Sequence, residues 1–152
     1  MTRLLVLLLA AGFGTGFSPR APGTAGTLMA IPVFLLFIRI PFPLHELTVT
    51  AFLFLAVAVA GRAQAHWGKK DDPRIVIDEM AGYLVAMFWI EPTLLSVTLG
   101  FLLFRFFDIA KPWPIRRLEE LPGGFGVVLD DILAGVYANL LQRLILWGLP
   151  WK

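Results

Sequence analysis

Polar residues along this chain fall in narrow bands, and between the bands run five apolar stretches: Gly26 to Pro41, Leu44 to Gly61, Met80 to Ile90, Thr93 to Phe107 and Ile132 to Trp151. The turn Pro41-Phe-Pro-Leu44 separates the first two, and Glu91-Pro92 separates the third from the fourth. No stretch alternates polar with apolar at the period of a barrel strand, and each is bounded by proline, glycine or charge, so the pattern predicts helices. Several fall short of the ~20 residues that a full membrane span requires. The stretch from Met80 becomes long enough only if its helix starts near Ile75, which puts Asp78 and Glu79 in the first turn, where the macrodipole favours acids.

The expected fold is therefore all-α. It is a polytopic helical membrane bundle of about four to five membrane helices with a short N-terminal re-entrant or interfacial segment, forming one domain over residues 1–152. That first segment, Met1 to Gly12, imitates a signal peptide, with one positive charge, a short apolar run and small residues behind it. The glycine-rich stretch that follows is too specialised for a ragged mature terminus, and a run of ten or so apolar residues also suits a re-entrant piece.

Composition agrees with the bilayer reading. Hydrophobic residues make up 58% of the 152 and charged residues only 16%, against about 25% charged in soluble domains. The net charge of +2 is small and the basic residues form no run, so no nucleic acid partner is expected. No obligate protein partner is implied either. Cysteine is absent, which excludes disulfides, thiolate metal sites and cysteine-based phosphatase chemistry.

Charge sets the orientation. With the loop from Gly12 to Thr24 on the cytoplasmic side, alternating spans place Arg62 to Asp78 and Asp108 to Asp130 on that side too. These segments hold Arg20, Arg62, Lys69, Lys70, Arg74, Lys111, Arg116 and Arg117, whereas the other face has Arg39, Glu46, Glu91 and Lys152. The positive-inside rule selects this arrangement. Arg143, about two-thirds along the last helix, must snorkel outward or face a partner.

Three acidic clusters then emerge at cytoplasmic helix ends: Asp78-Glu79, Asp108 and Asp130-Asp131. Asp78 and Gly82 are four apart, as are Asp131 and Gly135, so each acid shares a helix face with a glycine that permits close helix contact. Acids held side by side above such a contact repel one another unless a cation lies between them, and hard oxygen donors suit Mg²⁺ or Mn²⁺. The bland alternative is that such acids cap helices and mark the interface, and for Asp71 and Asp72, in the polar loop before Pro73, that is the expected role. For the flanked pairs, apolar neighbours make idle ionised groups expensive, which favours function.

Arg105, Asp108 and Lys111 are spaced by three, stacking along one helix face until Pro112 and Pro114 stop the helix. They read either as an interfacial ion-pair ladder or as a site with Asp108 toward the metal and Lys111 and Arg105 toward phosphate. The loop from Gly12 to Thr27 supplies Ser18, Arg20, Thr24 and Thr27 before an apolar helix, a setting in which backbone N–H groups bind phosphate. It matches neither a Walker A loop nor a dinucleotide fingerprint. A re-entrant turn whose glycines allow close packing explains the loop equally well.

Four segments in order resemble the phosphatidylglycerophosphatase A family: Phe17-Ser-Pro-Arg-Ala-Pro-Gly-Thr-Ala-Gly-Thr27, Ile77-Asp-Glu-Met-Ala-Gly82, Arg105-Phe-Phe-Asp-Ile-Ala-Lys-Pro-Trp-Pro-Ile115 and Gly123-Gly-Phe-Gly-Val-Val-Leu-Asp-Asp-Ile-Leu-Ala-Gly135. The resemblance implies a multi-pass enzyme of the bacterial inner membrane, its site facing the cytoplasm. It also implies dependence on Mg²⁺ and removal of the terminal phosphate of phosphatidylglycerophosphate to leave phosphatidylglycerol, on an all-helical fold that has a soluble relative. Asp78, Glu79, Asp130 and Asp131 are the expected metal ligands or base, with Asp108 as a further ligand or as the group that orients Lys111. An activated water is preferred to an attacking aspartate because no Asp-x-Asp pair is present.

The competing classes fit less well. Transferases that use CDP-linked lipids carry an Asp-Gly-x-x-Ala-Arg signature that is absent, and histidine-based lipid phosphatases need paired histidines where this chain has only His45 and His66. A small transporter or channel subunit accommodates intramembrane charge and broken helices, but it predicts acids near mid-membrane rather than at helix ends on one side.

Overall fold

The computed structural model describes residues 1–69 and 72–148, and every regular element among them is helical. The helices are α1 (Arg3–Ala10), a 3₁₀ segment (Gly12–Phe17), α2 (Pro22–Phe37), α3 (Leu44–Trp67), α4 (Ile77–Ala86), α5 (Leu94–Ala110), α6 (Ile115–Leu118) and α7 (Gly124–Trp147). Asp71 and the last expected residues of the final stretch, out to Trp151, lie outside the described residues.

Helix boundaries shift from the pattern-based expectation: α2 ends at Phe37 instead of Pro41, α4 runs from Ile77 only to Ala86 instead of Ile90, α5 ends at Ala110 instead of Phe107, and three further shifts have clear local causes. α2 starts at Pro22, four residues ahead of Gly26, since proline at a first helical position has the right φ and no donor to lose. α3 continues past Gly61 to Trp67 and ends at Gly68, whose φ of 69° suits glycine. α7 starts at Gly124 instead of Ile132, so Asp130 and Asp131 sit in its second turn and not at its border. Glycines 124 and 126 suggest a loop by propensity, yet a side chain at Gly124 would collide with the Val57 carbonyl of α3, so glycine is what lets the helix begin there.

α4 occupies the centre. Ile77 and Ala81 face a cluster containing Val6, Val59, Ala60 and Val128, while Met80, Tyr83, Leu84 and Met87 face Phe34, Phe104 and Ala134. α1 is docked rather than free: Val6 and Ala10 are buried in the first cluster, and the Val76 N–H donates to the Ala10 carbonyl at 2.8 Å.

With ten residues, α4 is only about 15 Å long, roughly half of a ~30 Å hydrocarbon core. A helix stopping there leaves carbonyls without partners, and α7 supplies them. Asn139 Nδ2 donates to the carbonyls of Val85 (3.2 Å), Ala86 (2.9 Å) and Phe88 (2.9 Å). Arg143 Nη2 reaches those of Phe88 (2.9 Å) and Trp89 (3.2 Å) while its Nε holds Asn139 Oδ1 at 2.8 Å. Arg143 thus faces a partner. Gln142 Nε2 binds the Ser96 carbonyl of α5 at 2.9 Å in the same way.

The distribution of polarity is that of a membrane protein. Asp78, Asp108, Asp130, Asp131, Asn139 and Gln142 are buried, while Leu4, Phe54, Leu94, Ile109, Leu144 and Trp147 are broadly exposed. Exposed apolar surface of this extent marks contact with lipid. Two helices, α3 and α7, are long and apolar enough to cross a bilayer; of the most apolar part of each, 22% of α3 and 50% of α7 is buried, so α7 is the more enclosed of the two. α2 with 16 residues and α5 with 17 are shorter.

Candidate active site

The site begins with a glycine contact. A Cβ on Gly135 of α7 would run into the Gly82 carbonyl of α4, and one on Gly82 would meet the Asp131 carbonyl and the Phe104 ring. The two backbones touch, as the four-residue spacing of acid and glycine predicts. One turn above this contact, carboxylate oxygens of Asp78, Glu79 and Asp131 come within 4.8 Å of one another. Asp108, from α5, neighbours both Glu79 and Asp131. Acids from three helices therefore converge.

Two cations border the cluster. Arg105 Nη1 holds Asp108 Oδ2 at 2.6 Å and lies 3.9 Å from Glu79 Oε1. Lys111 caps α5 in a left-handed conformation, φ 42° and ψ 59°, a strained geometry for a residue with a Cβ. Its ammonium is fastened to Asp130 Oδ2 at 2.7 Å and to Glu119. Burial acts to lower the Lys111 pKa, but the hydrogen bonds to Asp130 and Glu119 outweigh it and raise the pKa well above the usual lysine range. Asp130 thus turns one oxygen to a lysine, and the tight triad consists of Asp78, Glu79 and Asp131.

The N-terminus of α2 closes another side. A Cβ on Gly23 would overlap Glu79 Oε1 and crowd Arg105 Nη1, so glycine here lets the start of α2 press against the cluster. The first-turn N–H groups of Gly23 and Thr24 lack intrahelical acceptors by their position. Thr27 is buried with its hydroxyl donating to the Gly23 carbonyl at 2.9 Å. Ser18 Oγ donates to the Arg20 carbonyl at 2.8 Å, and the Arg20 side chain is exposed. Asp72 is buried and paired with Arg74 at 2.8 Å in the loop before α4, an ion pair rather than the helix cap expected of it.

Residues that the sequence pattern did not single out also matter. Glu119 holds Lys111, and nothing in the run Arg116-Arg-Leu-Glu-Glu120 distinguishes it from a solvated charge. Asn139 and Gln142 were legible in principle, since polar residues in an apolar helix near Arg143 signal helix contacts.

The donor set fits a hard divalent cation. All the candidate ligands are carboxylate oxygens, and Glu79 Oε2 and Asp130 Oδ1 are buried with no hydrogen-bond partner among the described residues. Arg105 Nε is equally orphaned. A buried unpaired charge is costly, and a cation together with a bound anion supplies the missing partners.

Residues 8–146 match the sequence family described as Phosphatidylglycerophosphatase A. The chain belongs to the phosphatidylglycerophosphatase A family. Two proteins of that name, from Escherichia coli and Haemophilus influenzae, are each 39% identical to it, over 131 residues (85% of this chain, 76% of the other) and 137 residues (88% and 84%). A protein of Bacteroides thetaiotaomicron that bears the provisional name phosphatidylinositol-3-phosphatase is also 39% identical, over 151 residues and 94% of both chains. No solved structure matches this member of the phosphatidylglycerophosphatase A family.

Proposed function

We propose that the protein is a bacterial inner-membrane phosphatase that hydrolyses the terminal phosphomonoester of phosphatidylglycerophosphate to phosphatidylglycerol and inorganic phosphate, with its site facing the cytoplasm. Family membership supports the reaction. α2, α4 and α5 join α3 and α7 in the bilayer, giving five membrane helices, with α1 and the 3₁₀ segment at the interface. The observation that carries the site is the meeting of Asp78, Glu79 and Asp131 oxygens within 4.8 Å.

Asp78, Glu79 and Asp131 would hold Mg²⁺, and Asp108 stands beside them as a further ligand or base. Bound there, the ion supplies Lewis acidity toward a phosphoryl oxygen and lowers the pKa of a coordinated water. The chain's own residues do the rest. Arg105 turns its guanidinium between Asp108 and Glu79, where it can neutralise phosphoryl oxygens as charge builds on them. Gly23 and Thr24 present backbone donors at the same point. Ser18 and Arg20 lie at the mouth of this loop as outer phosphate contacts. Asp130 serves through Lys111, fixing the ammonium beside the cluster. The test is release of inorganic phosphate from phosphatidylglycerophosphate in detergent with and without EDTA; no turnover in added Mg²⁺ sinks the reading.

The Bacteroides relative's name supports a second substrate, a phosphorylated inositol lipid. Both lipids present a phosphomonoester on a polyol that a phosphodiester joins to diacylglycerol. Parallel assays of the two lipids separate the readings.

A further inference from the structure

Resting on the lipid phosphomonoesterase reading, we propose that the cleft bounded by Lys111, Trp113, Arg116 and Arg117 receives the phosphodiester of the bound lipid, making the site a two-anion reader. The cleft has a volume of about 420 Å³ and also touches Pro114 and Glu120. It opens beside the acidic triad, because Lys111 both lines it and binds Asp130, the neighbour of Asp131.

Its charge has no internal use. Lys111 is neutralised by Asp130 and Glu119, but neither Arg116 nor Arg117 has an ion-pair partner among the described residues, and both are exposed. The Arg117 guanidinium lies 5.9 Å from the Trp113 ring centroid, an arrangement that keeps an arginine at an interface while its N–H groups stay available.

A track of apolar side chains leads to it. Leu102, Phe106 and Ile109 recur on one face of α5 and continue to Trp113, all between 57% and 74% exposed. A lipid lying along this strip has acyl chains against α5, its headgroup at the level of Arg116 and Arg117, and a terminal phosphate reaching past Lys111 to the triad. Charge complementarity favours a phosphodiester anion over a neutral headgroup, and arginine is the residue that binds phosphate oxygens in pairs.

The experiment compares wild type with the double variant Arg116→Gln/Arg117→Gln on phosphatidylglycerophosphate and on phosphatidic acid, a lipid monoester with no phosphodiester, in the same micelles. Loss of two charge-assisted contacts should lower kcat/KM on the diester-bearing lipid about tenfold or more, chiefly through KM. The loss on phosphatidic acid should be several-fold smaller. Affinity for phosphatidylglycerol, which keeps the diester, should fall by a similar factor, while diacylglycerol binding should not change. The double variant Arg116→Lys/Arg117→Lys should recover part of the difference and shows that the corner still folds.

Equal losses on both lipids would reduce the cleft to a general electrostatic attraction for anionic surfaces and overturn the proposal, as would unchanged phosphatidylglycerol affinity. Should the wild type turn over neither lipid, the enzymatic reading falls by itself. The phosphatidylglycerol measurement then decides the cleft alone, with a tenfold loss supporting it and no loss overturning it.

Discussion

Gly135 rests against the backbone carbonyl of Gly82, with no room for a methyl group between the helices. This contact sets the spacing of the carboxylates one turn above it, on Asp78, Glu79 and Asp131.

Gly135→Ala should separate α4 from α7 and so damage both stability and catalysis. Overpacking of a tight contact costs about 1–3 kcal/mol, and turnover should fall by more than the folded fraction does, because the acids spread apart. Gly148→Ala, whose Cβ would find only ordinary contacts at 3.6 Å, provides the control. Thermal unfolding in detergent beside phosphate release measures both effects; a Gly135→Ala enzyme with full activity would mean that the acid spacing is not set here.

Asp131→Asn, Asp78→Asn and Glu79→Gln should each reduce turnover at least about a hundredfold, since even groups behind a metal's ligands contribute ten- to a hundredfold. Folding should survive, because each change relieves repulsion among buried acids. Mn²⁺ binding followed by electron paramagnetic resonance should weaken in parallel. Wild-type binding and rates in all three would remove these residues from the site.

Lys111→Ala leaves Asp130 buried without its cation, and breaking one side of a buried pair costs about 3–5 kcal/mol. Removing both charges, as Lys111→Met with Asp130→Asn, should recover much of that stability but not the activity. Denaturation of Lys111→Met, Asp130→Asn and the double variant tests the coupling; additive losses would show that the pair is not an energetic unit.

Asn139→Leu deletes three hydrogen bonds to the C-terminal end of α4. Intramembrane hydrogen bonds contribute about 0.6 kcal/mol each on average, so a loss of about 2 kcal/mol is expected, together with faster hydrogen exchange at Val85 to Phe88. Unaltered exchange there would show that the carbonyls find other partners.

Much of this arrangement was legible in the chain because bilayers and metals impose simple rules. The apolar stretches gave helices, and the repeated acid-to-glycine spacing of Asp78–Gly82 and Asp131–Gly135 foretold both a close helix contact and carboxylates placed above it. The true start of α7 was hidden, since Gly124 and Gly126 look like loop residues until the α3 backbone that requires them is in view. The division of labour between Asp130 and Asp131 was hidden too. Adjacent residues on a helix point about 100° apart, and only the placement of Lys111 and Glu119 decides which acid meets the lysine and which the triad.

The brevity of α4 carries a mechanical meaning. The helix meets α7 at its middle through Gly82 and again at its C-terminal end through Asn139 and Arg143, so the two helices bearing the triad form a single stiff strut. The neighbouring walls are left to accommodate a lipid headgroup, and at one of them, where the end of α5 turns into α6, stand Arg116 and Arg117, neither of which has an ion-pair partner among the described residues.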